Sequence, residues 1–187
     1  MHLKSYGLTM KRLLPLLYIL SLAGCGSPSY IYKNMDVLSI WLPKHSWMIM
    51  FSGKDVDIIQ EKSSPSGDSG YFLFSNRADK FTFSFYIEPA PAGTSSAKEC
   101  RDVAWSRMSP MLKSQKAASM KTGDEEERFS YEYIIPEVGG QTVNQKNWNI
   151  HYFRNGYWID FHISKMNYVS GDDQVIWKFA DKVIISE

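Results

Sequence analysis

The chain is predicted to fold as an α+β protein, a mostly antiparallel β-sheet of about six to eight strands with two principal helices packed on it. Three observations carry that expectation. Phe81, Phe83, Phe85 and Ile87 alternate with Thr82, Ser84 and Tyr86, and Phe129, Tyr131, Tyr133 and Ile135 alternate with Ser130, Glu132 and Ile134. Such period-2 alternation belongs to strands with one buried face. Asn155-Gly156 stands between two apolar-rich runs, the strongest short-range hairpin signal. Two segments, after Ser96 and after Ser170, space their apolar residues at helical intervals instead.

Taken in order, residues up to about Asn34 read as a tether, because Ser27-Pro28-Ser29 opposes regular structure. From Met35 the chain reads mostly as strands. Leu38–Leu42 ends at Pro43, Trp47–Phe51 stops at Ser52-Gly53, and Val56–Glu61 runs into the loop Ser63–Asp68. Tyr71–Ser75 and Phe81–Glu88 flank Asn76-Arg77-Ala78-Asp79 as a hairpin. Pro89–Gly93 ends that pair.

The first helix opens at Ser96-Ala97-Lys98-Glu99, a capping box whose serine and glutamate can satisfy free backbone N–H groups. Cys100, Val103, Ala104, Met108 and Met111 follow on one face, and Pro110 is expected to kink or end the helix. Lys113–Glu127 is polar and reads as a solvated helix end and loop. The strand 129–135 closes at Pro136–Gly140. Strands 147–154 and 157–164 surround the Asn155-Gly156 turn. Ser170-Gly171-Asp172-Asp173 then supplies a cap and negative charge to a closing helix with the stripe Val175, Ile176, Phe179, Ala180, Val183 and Ile184.

The start of the chain is of another kind. Met10-Lys11-Arg12 precedes an apolar run, Leu13–Leu22, too short to span a bilayer core of about 30 Å. Leu22-Ala23-Gly24-Cys25 follows. This arrangement resembles the signal peptide and lipobox of bacterial lipoproteins, with Met1 and Met10 both open as the start. The resemblance implies cleavage before Cys25, a diacylglyceryl group on its thiol, residues 1–24 as signal peptide, 25–34 as lipidated tether and 35–187 as a single domain. Gly26, rather than Asp, follows the cysteine, a pattern similar to that of Gram-negative lipoproteins sent to the outer membrane, on its inner leaflet facing the periplasm.

Removing residues 1–24 leaves 163 of the 187 residues and takes away Lys4, Lys11 and Arg12 but no acid, so the formal charge falls by three from +1 to −2. A mildly acidic domain without a basic run is a poor nucleic-acid binder. With Cys25 acylated, Cys100 is the one remaining thiol, and no disulfide can staple the fold. Stability must come from the core, to which an aromatic content of 14% contributes.

The element order of strands, helix, three strands and closing helix, over roughly Met35–Ile185, resembles the PsbP/Mog1-like fold, in which a mostly antiparallel sheet carries helices on its faces. Members serve as photosystem subunits, transport cofactors and secretion chaperones. The resemblance implies binding rather than catalysis and carries no site residues across.

The two-residue turn fixes a register: Arg154 faces Tyr157, Phe153 faces Trp158, Tyr152 faces Ile159, His151 faces Asp160, Ile150 faces Phe161 and Asn149 faces His162. One face then holds Trp148, Ile150, Tyr152, Ile159, Phe161 and Ile163, which must be core. The other holds Asn149, His151, Asp160, His162 and Ser164. Two histidines and a carboxylate on one face have the composition of a metal or ligand site. The alternative is a solvated strand face with a cross-strand His151–Asp160 ion pair, on which His151→Ala or His162→Ala would each change stability by less than about 1 kcal/mol.

Other chemistry is thin. Cys100 reads as a core thiol on a helix stripe, and Ser95 as a helix-terminal hydroxyl. Gly67–Gly70 and Gly139-Gly140 lack the strand–glycine–helix setting of a phosphate loop, and Asp124–Glu127 lacks EF-hand spacing. No cofactor motif is present. Tyr86, Phe153, Tyr157 and Trp158 either form an exposed binding patch or lie under a second layer such as the closing helix.

The expectation is therefore a lipid-anchored envelope protein that binds a protein partner, one version being an immunity lipoprotein against a periplasm-targeted toxin. The alternatives are a metal-dependent envelope enzyme or metal-binding protein using His151, Asp160, His162 and Asn149, and a structural subunit of an outer-membrane assembly complex.

Overall fold

The computed structural model describes residues 29–125 and 128–186. The segment read as signal peptide, with Cys25, lies outside the described residues. The elements are β1 (Ile31–Asn34), β2 (Val37–Ile40), β3 (Met48–Ser52), β4 (Val56–Ser63), β5 (Gly70–Asn76), β6 (Phe81–Pro89), α1 (Ala97–Ser114), β7 (Ala118–Glu125), β8 (Arg128–Val138), β9 (Gln141–Arg154), β10 (Tyr157–Lys165), α2 (Asp172–Ala180) and β11 (Ile184–Ser186). They form a four-stranded sheet, β1-β2-β3-β11, and a seven-stranded one, β4-β5-β6-β10-β9-β8-β7. The α+β class is as expected, and among the described residues eleven strands in two sheets replace the six to eight expected in one.

The first face of the large sheet is aromatic and dry. Phe72, Phe74, Phe83, Phe85, Ile87, Trp148, Ile150, Ile159, Phe161 and Ile163 are all at most 1% exposed. Leu38, Ile40, Ile49 and Phe51 of the small sheet and Ile176 and Ala180 of α2 close over them. Phe51 reaches across to ring centroids of Phe74, Phe83 and Phe85 at 5.1, 5.3 and 5.4 Å. Each fully buried ring is worth about 1.5–3 kcal/mol, so this contact holds the two sheets together. At one end of the core Lys146 Nζ bonds Glu132 Oε2 and Asp173 Oδ1, both at 2.7 Å, and lies over the Trp148 and Tyr168 rings. It joins the start of α2 to the large sheet. Burial alone would lower the lysine's pKa, but the bonds to Asp173 and Glu132 outweigh that and raise it.

The register around Asn155-Gly156 is the one the turn predicts, from Arg154–Tyr157 to Asn149–His162. Asn155 and Gly156 both take positive φ, +49° and +80°. The Ser96 hydroxyl caps α1 by accepting from Glu99 N, while the Glu99 carboxylate accepts from the Ser95 amide and hydroxyl.

Five local expectations are corrected. Ile31–Asn34, read as tether, is an edge strand, and Tyr30 beside it is buried in the core. α1 runs four residues beyond Pro110, because Leu112 is buried and Gln115 N closes on Met111 O. The polar stretch after Lys113 contains strand β7, an edge strand whose charged side chains pair with neighbours (Lys121 with Glu132, Asp124 with Arg101) instead of alternating. β8 continues through Pro136 by a bulge between Ile135 and Glu137, which places the proline where no ladder bond is missed. The closing helix stops at Ala180, and Ile184 belongs to β11, which pairs with β3.

The Asn155-Gly156 turn gives a direct test. A Cβ on Gly156 would meet nothing within 4 Å, so the cost of substitution is backbone strain alone. Gly156→Val is expected to destabilise the protein by about 1–3 kcal/mol in urea unfolding.

Candidate functional site

The second face of the large sheet carries the polar residues singled out on the central hairpin. Tyr131 and Tyr133 of β8, Asn149 and His151 of β9, Trp158, Asp160 and His162 of β10, and Ser84 and Tyr86 of β6 share it by register. α1 lies across β8 and β9, its Cys100, Ala104 and Leu112 packing with Tyr131, Tyr133 and Trp158. Arg101, only 4% exposed, secures that helix. Its Nη1 donates to Gly123 O at 3.1 Å and Ser130 O at 3.2 Å and pairs with Asp124 Oδ1 at 2.8 Å, while its Nε meets Asp102.

The face is therefore not a solvated one. His151 is fully buried, and Asn149 is 5% exposed. His151 Nδ1 accepts the Trp158 indole N–H at 2.8 Å, and its ring stacks on Tyr131 at 5.3 Å. An indole N–H only donates, so Nδ1 carries no proton and the neutral ring holds its proton on Nε2. That also dissolves the expected cross-strand ion pair. Asp160 Oδ1 stands 3.9 Å from Nδ1, with no proton on that nitrogen to share. Burial, with a smaller contribution from the Arg101 charge, pushes the His151 pKa down to about 3. Burial also takes His162 down to about 4, and its Nε2 donates to Asn147 Oδ1 at 3.1 Å. Asp160 moves the other way, to about 7, first through desolvation and then through the charge of Glu88.

Three buried atoms in this cluster, Asn149 Nδ2, His151 Nε2 and Asp160 Oδ1, have no hydrogen-bond partner. Among the described residues no group of three His, Cys, Asp or Glu side chains is placed to hold a metal ion. Cys100 is fully buried, with its Sγ 3.8 Å from Thr94 Oγ1 and its thiol pKa raised by burial. The arrangement is thus a neutral imidazole beneath α1 beside a carboxyl poised near neutrality, without an activated nucleophile.

The aromatics divide. Trp158 is buried and Phe153 partly buried against the α1 cluster, and Tyr157 packs on the other core. The covering layer is α1, not the closing helix. Tyr86 stays 42% exposed, because α1 does not extend over β4–β6. There Tyr71 and Tyr86, paired neighbours, stand beside an open groove of about 400 Å³ lined also by Lys62, Ser64 and Glu88. A second cleft of about 380 Å³ lies between α2 and the β3–β4 turn, lined by Lys54, Asp55, Asn76, Asp79, Lys178 and Lys182. Gly67–Gly70 is a turn in which Asp68 accepts from Ser64, Ser66 and Ser69, holding its carboxyl at about 2.

The sequence reading passed over Arg101 and His45. His45 is 6% exposed, stacked on Trp47 at 4.4 Å, with Nε2 donating to Asp68 O. Neither lies in a motif. The one available signal was a lone arginine among the small residues of a helix stripe.

No protein-family model and no curated protein sequence matches the chain. Among solved structures, the chain is similar to the solution structure of cyanobacterial PsbP (CyanoP) from Synechocystis sp. PCC 6803. The match has 14% identity, covers 88% of this chain and 98% of that one, and has a TM-score of 0.52. The protein has a PsbP-like α+β fold.

Two outcomes follow from the buried cluster. His151→Ala removes the partner of a buried indole N–H and opens a cavity, so it is expected to cost about 2–4 kcal/mol, well above the same change at His162. Asp160 binds its proton more tightly folded than unfolded, so its contribution is full below pH 3.8 and lost as pH rises through about 7. The two histidines act oppositely, costing stability as pH falls from 6.5 towards about 4 and 3. Urea titrations of Asp160→Asn should therefore gain about 1–3 kcal/mol over the parent at high pH and little under acid conditions.

Proposed function

We propose that the protein is a lipid-anchored accessory protein of the cell envelope that works by contact with a protein partner. The observation that carries the reading is the half-covered second face of the large sheet. α1 closes over β8 and β9, while β4–β6 present Tyr71, Leu73 and Tyr86 next to Ser75 and Thr82. An aromatic-rich polar sheet face beside an open groove suits a protein surface. The neutral, buried His151 and the inert Cys100 argue for holding rather than transforming a ligand.

The anchoring half of the proposal rests on Met10–Cys25, with basic residues, a short apolar run and the lipobox in order. Two or more acyl chains on Cys25 would hold the protein stably, since each buried CH₂ contributes about 0.8 kcal/mol. Gly26 supports the inner leaflet of a Gram-negative outer membrane, facing the periplasm, as the address.

Cys25→Ser is expected to move the protein from the detergent to the aqueous phase in phase separation and to leave uncleaved precursor. A variant that still partitions with detergent and is cleaved normally would refute the lipid anchor. A photo-crosslinking residue at Tyr86 should give a discrete protein adduct in cells, and one at exposed Val138 should not.

A further inference from the structure

The four-stranded sheet has an inner face in the core and an outer face that no element among the described residues covers. Register assigns Tyr32, Val37, Ser39, Met48, Met50, Ser52, Ile184 and Ser186 to that outer face, alternating with the buried Leu38, Ile40, Ile49 and Phe51. Trp41 extends it, with its ring 6.2 Å from that of Tyr32. None of these residues is charged. Tyr32 is 49%, Val37 43%, Trp41 42% and Ile184 55% exposed. An exposed aromatic pair and two aliphatic residues on one uncharged sheet face need an occupant.

We infer that this outer face rests on the surface of the bilayer that holds the Cys25 lipid, with Trp41 and Tyr32 in the interfacial layer. The inference rests on the lipid-anchored reading above and adds an orientation to it.

Tether length is the first argument. Cys25 precedes Ser29 by four residues, which span at most about 14 Å. Ser29 and Tyr30 are fixed to the domain, since the Ser29 hydroxyl donates to Glu61 and Trp41 N pairs with Tyr30 O. An acyl chain on Cys25 therefore holds the β1–β2 edge close to the headgroups, and Tyr32 and Trp41 are the first exposed rings from that edge.

Chemistry is the second. Tryptophan and tyrosine favour the membrane–water boundary, where an apolar ring and a polar handle are both accommodated. The Trp41 indole N–H already has a partner in His45 O at 3.3 Å. Lys33, Lys44, Lys54 and Lys182 flank the strand ends against Asp36 and Asp55, a rim that suits anionic headgroups. The arrangement also turns α1 and the open Tyr71–Tyr86 surface, on the far side of the large sheet, away from the membrane.

The test uses the acylated full-length protein in phosphatidylethanolamine–phosphatidylglycerol vesicles whose acyl chains carry bromine, a quencher of tryptophan only at membrane depth. Wild-type emission is expected to be quenched, and Trp41→Phe to lose most of that quenching. Trp105→Phe should keep it, because Trp105 belongs to α1 and packs against Tyr131 on the far side of the large sheet. Ile184→Glu, which places a charge on the face, should float with the vesicles through its acyl chains yet show reduced quenching. Thermal midpoints of the variants check that each is folded. If the protein floats but Trp41→Phe leaves quenching unchanged, the orientation is wrong and the anchor stands. If the wild type does not float, the anchored reading falls and the orientation with it.

Discussion

Everything in this protein hangs on the ring of phenylalanines that joins its two sheets. Phe51 enters the first face of the large sheet between Phe74, Phe83 and Phe85, and Phe85 stacks on Phe161 at 4.6 Å. With no disulfide among the described residues, that contact and the Lys146 ion cluster hold the small sheet and α2 to the large sheet. Because side chains alternate strictly along a strand, committing one face of β6, β9 and β10 to the rings commits the other face as well. Asn149, His151, Asp160 and His162 are brought together as a consequence of where the phenylalanines go.

A polar face under a helix is costly unless its groups are paired, and here the pairing is partial. Trp158 gives its indole proton to His151, and Asn147 receives one from His162, but three buried polar atoms have no protein partner. Arg101 makes the covering possible by carrying one buried charge into a nest of two carbonyls and two carboxylates. The price of the arrangement is a carboxyl that ionises only near neutrality and two imidazoles that stay neutral.

The molecule is thus layered, with an uncharged outer sheet face on one side and a half-open polar sheet face on the other. Cys25, the proposed lipid attachment point, precedes the edge strand that leads into the first of these. Fold likeness to PsbP carries the architecture and leaves the chemistry to this chain's own residues.

Local rules in the sequence determined the central hairpin, its register, the cap of α1 and the core face of β6, β9 and β10. Each depends on neighbours within a few residues: a turn that needs positive φ, a hydroxyl three residues from an amide, an alternation of period two. The tertiary structure alone decided the edge strands β1, β7 and β11, because their residues are polar or few and their ladder bonds are made with partners far along the chain. It alone decided which helix covers the histidine face. Helical periodicity marked both helices as amphipathic, but only Arg101, meeting Gly123 and Ser130 more than twenty residues away, selects α1. The ionisation of His151 and Asp160 was likewise out of reach, since it is set mainly by burial, and burial is a property of the assembled layers.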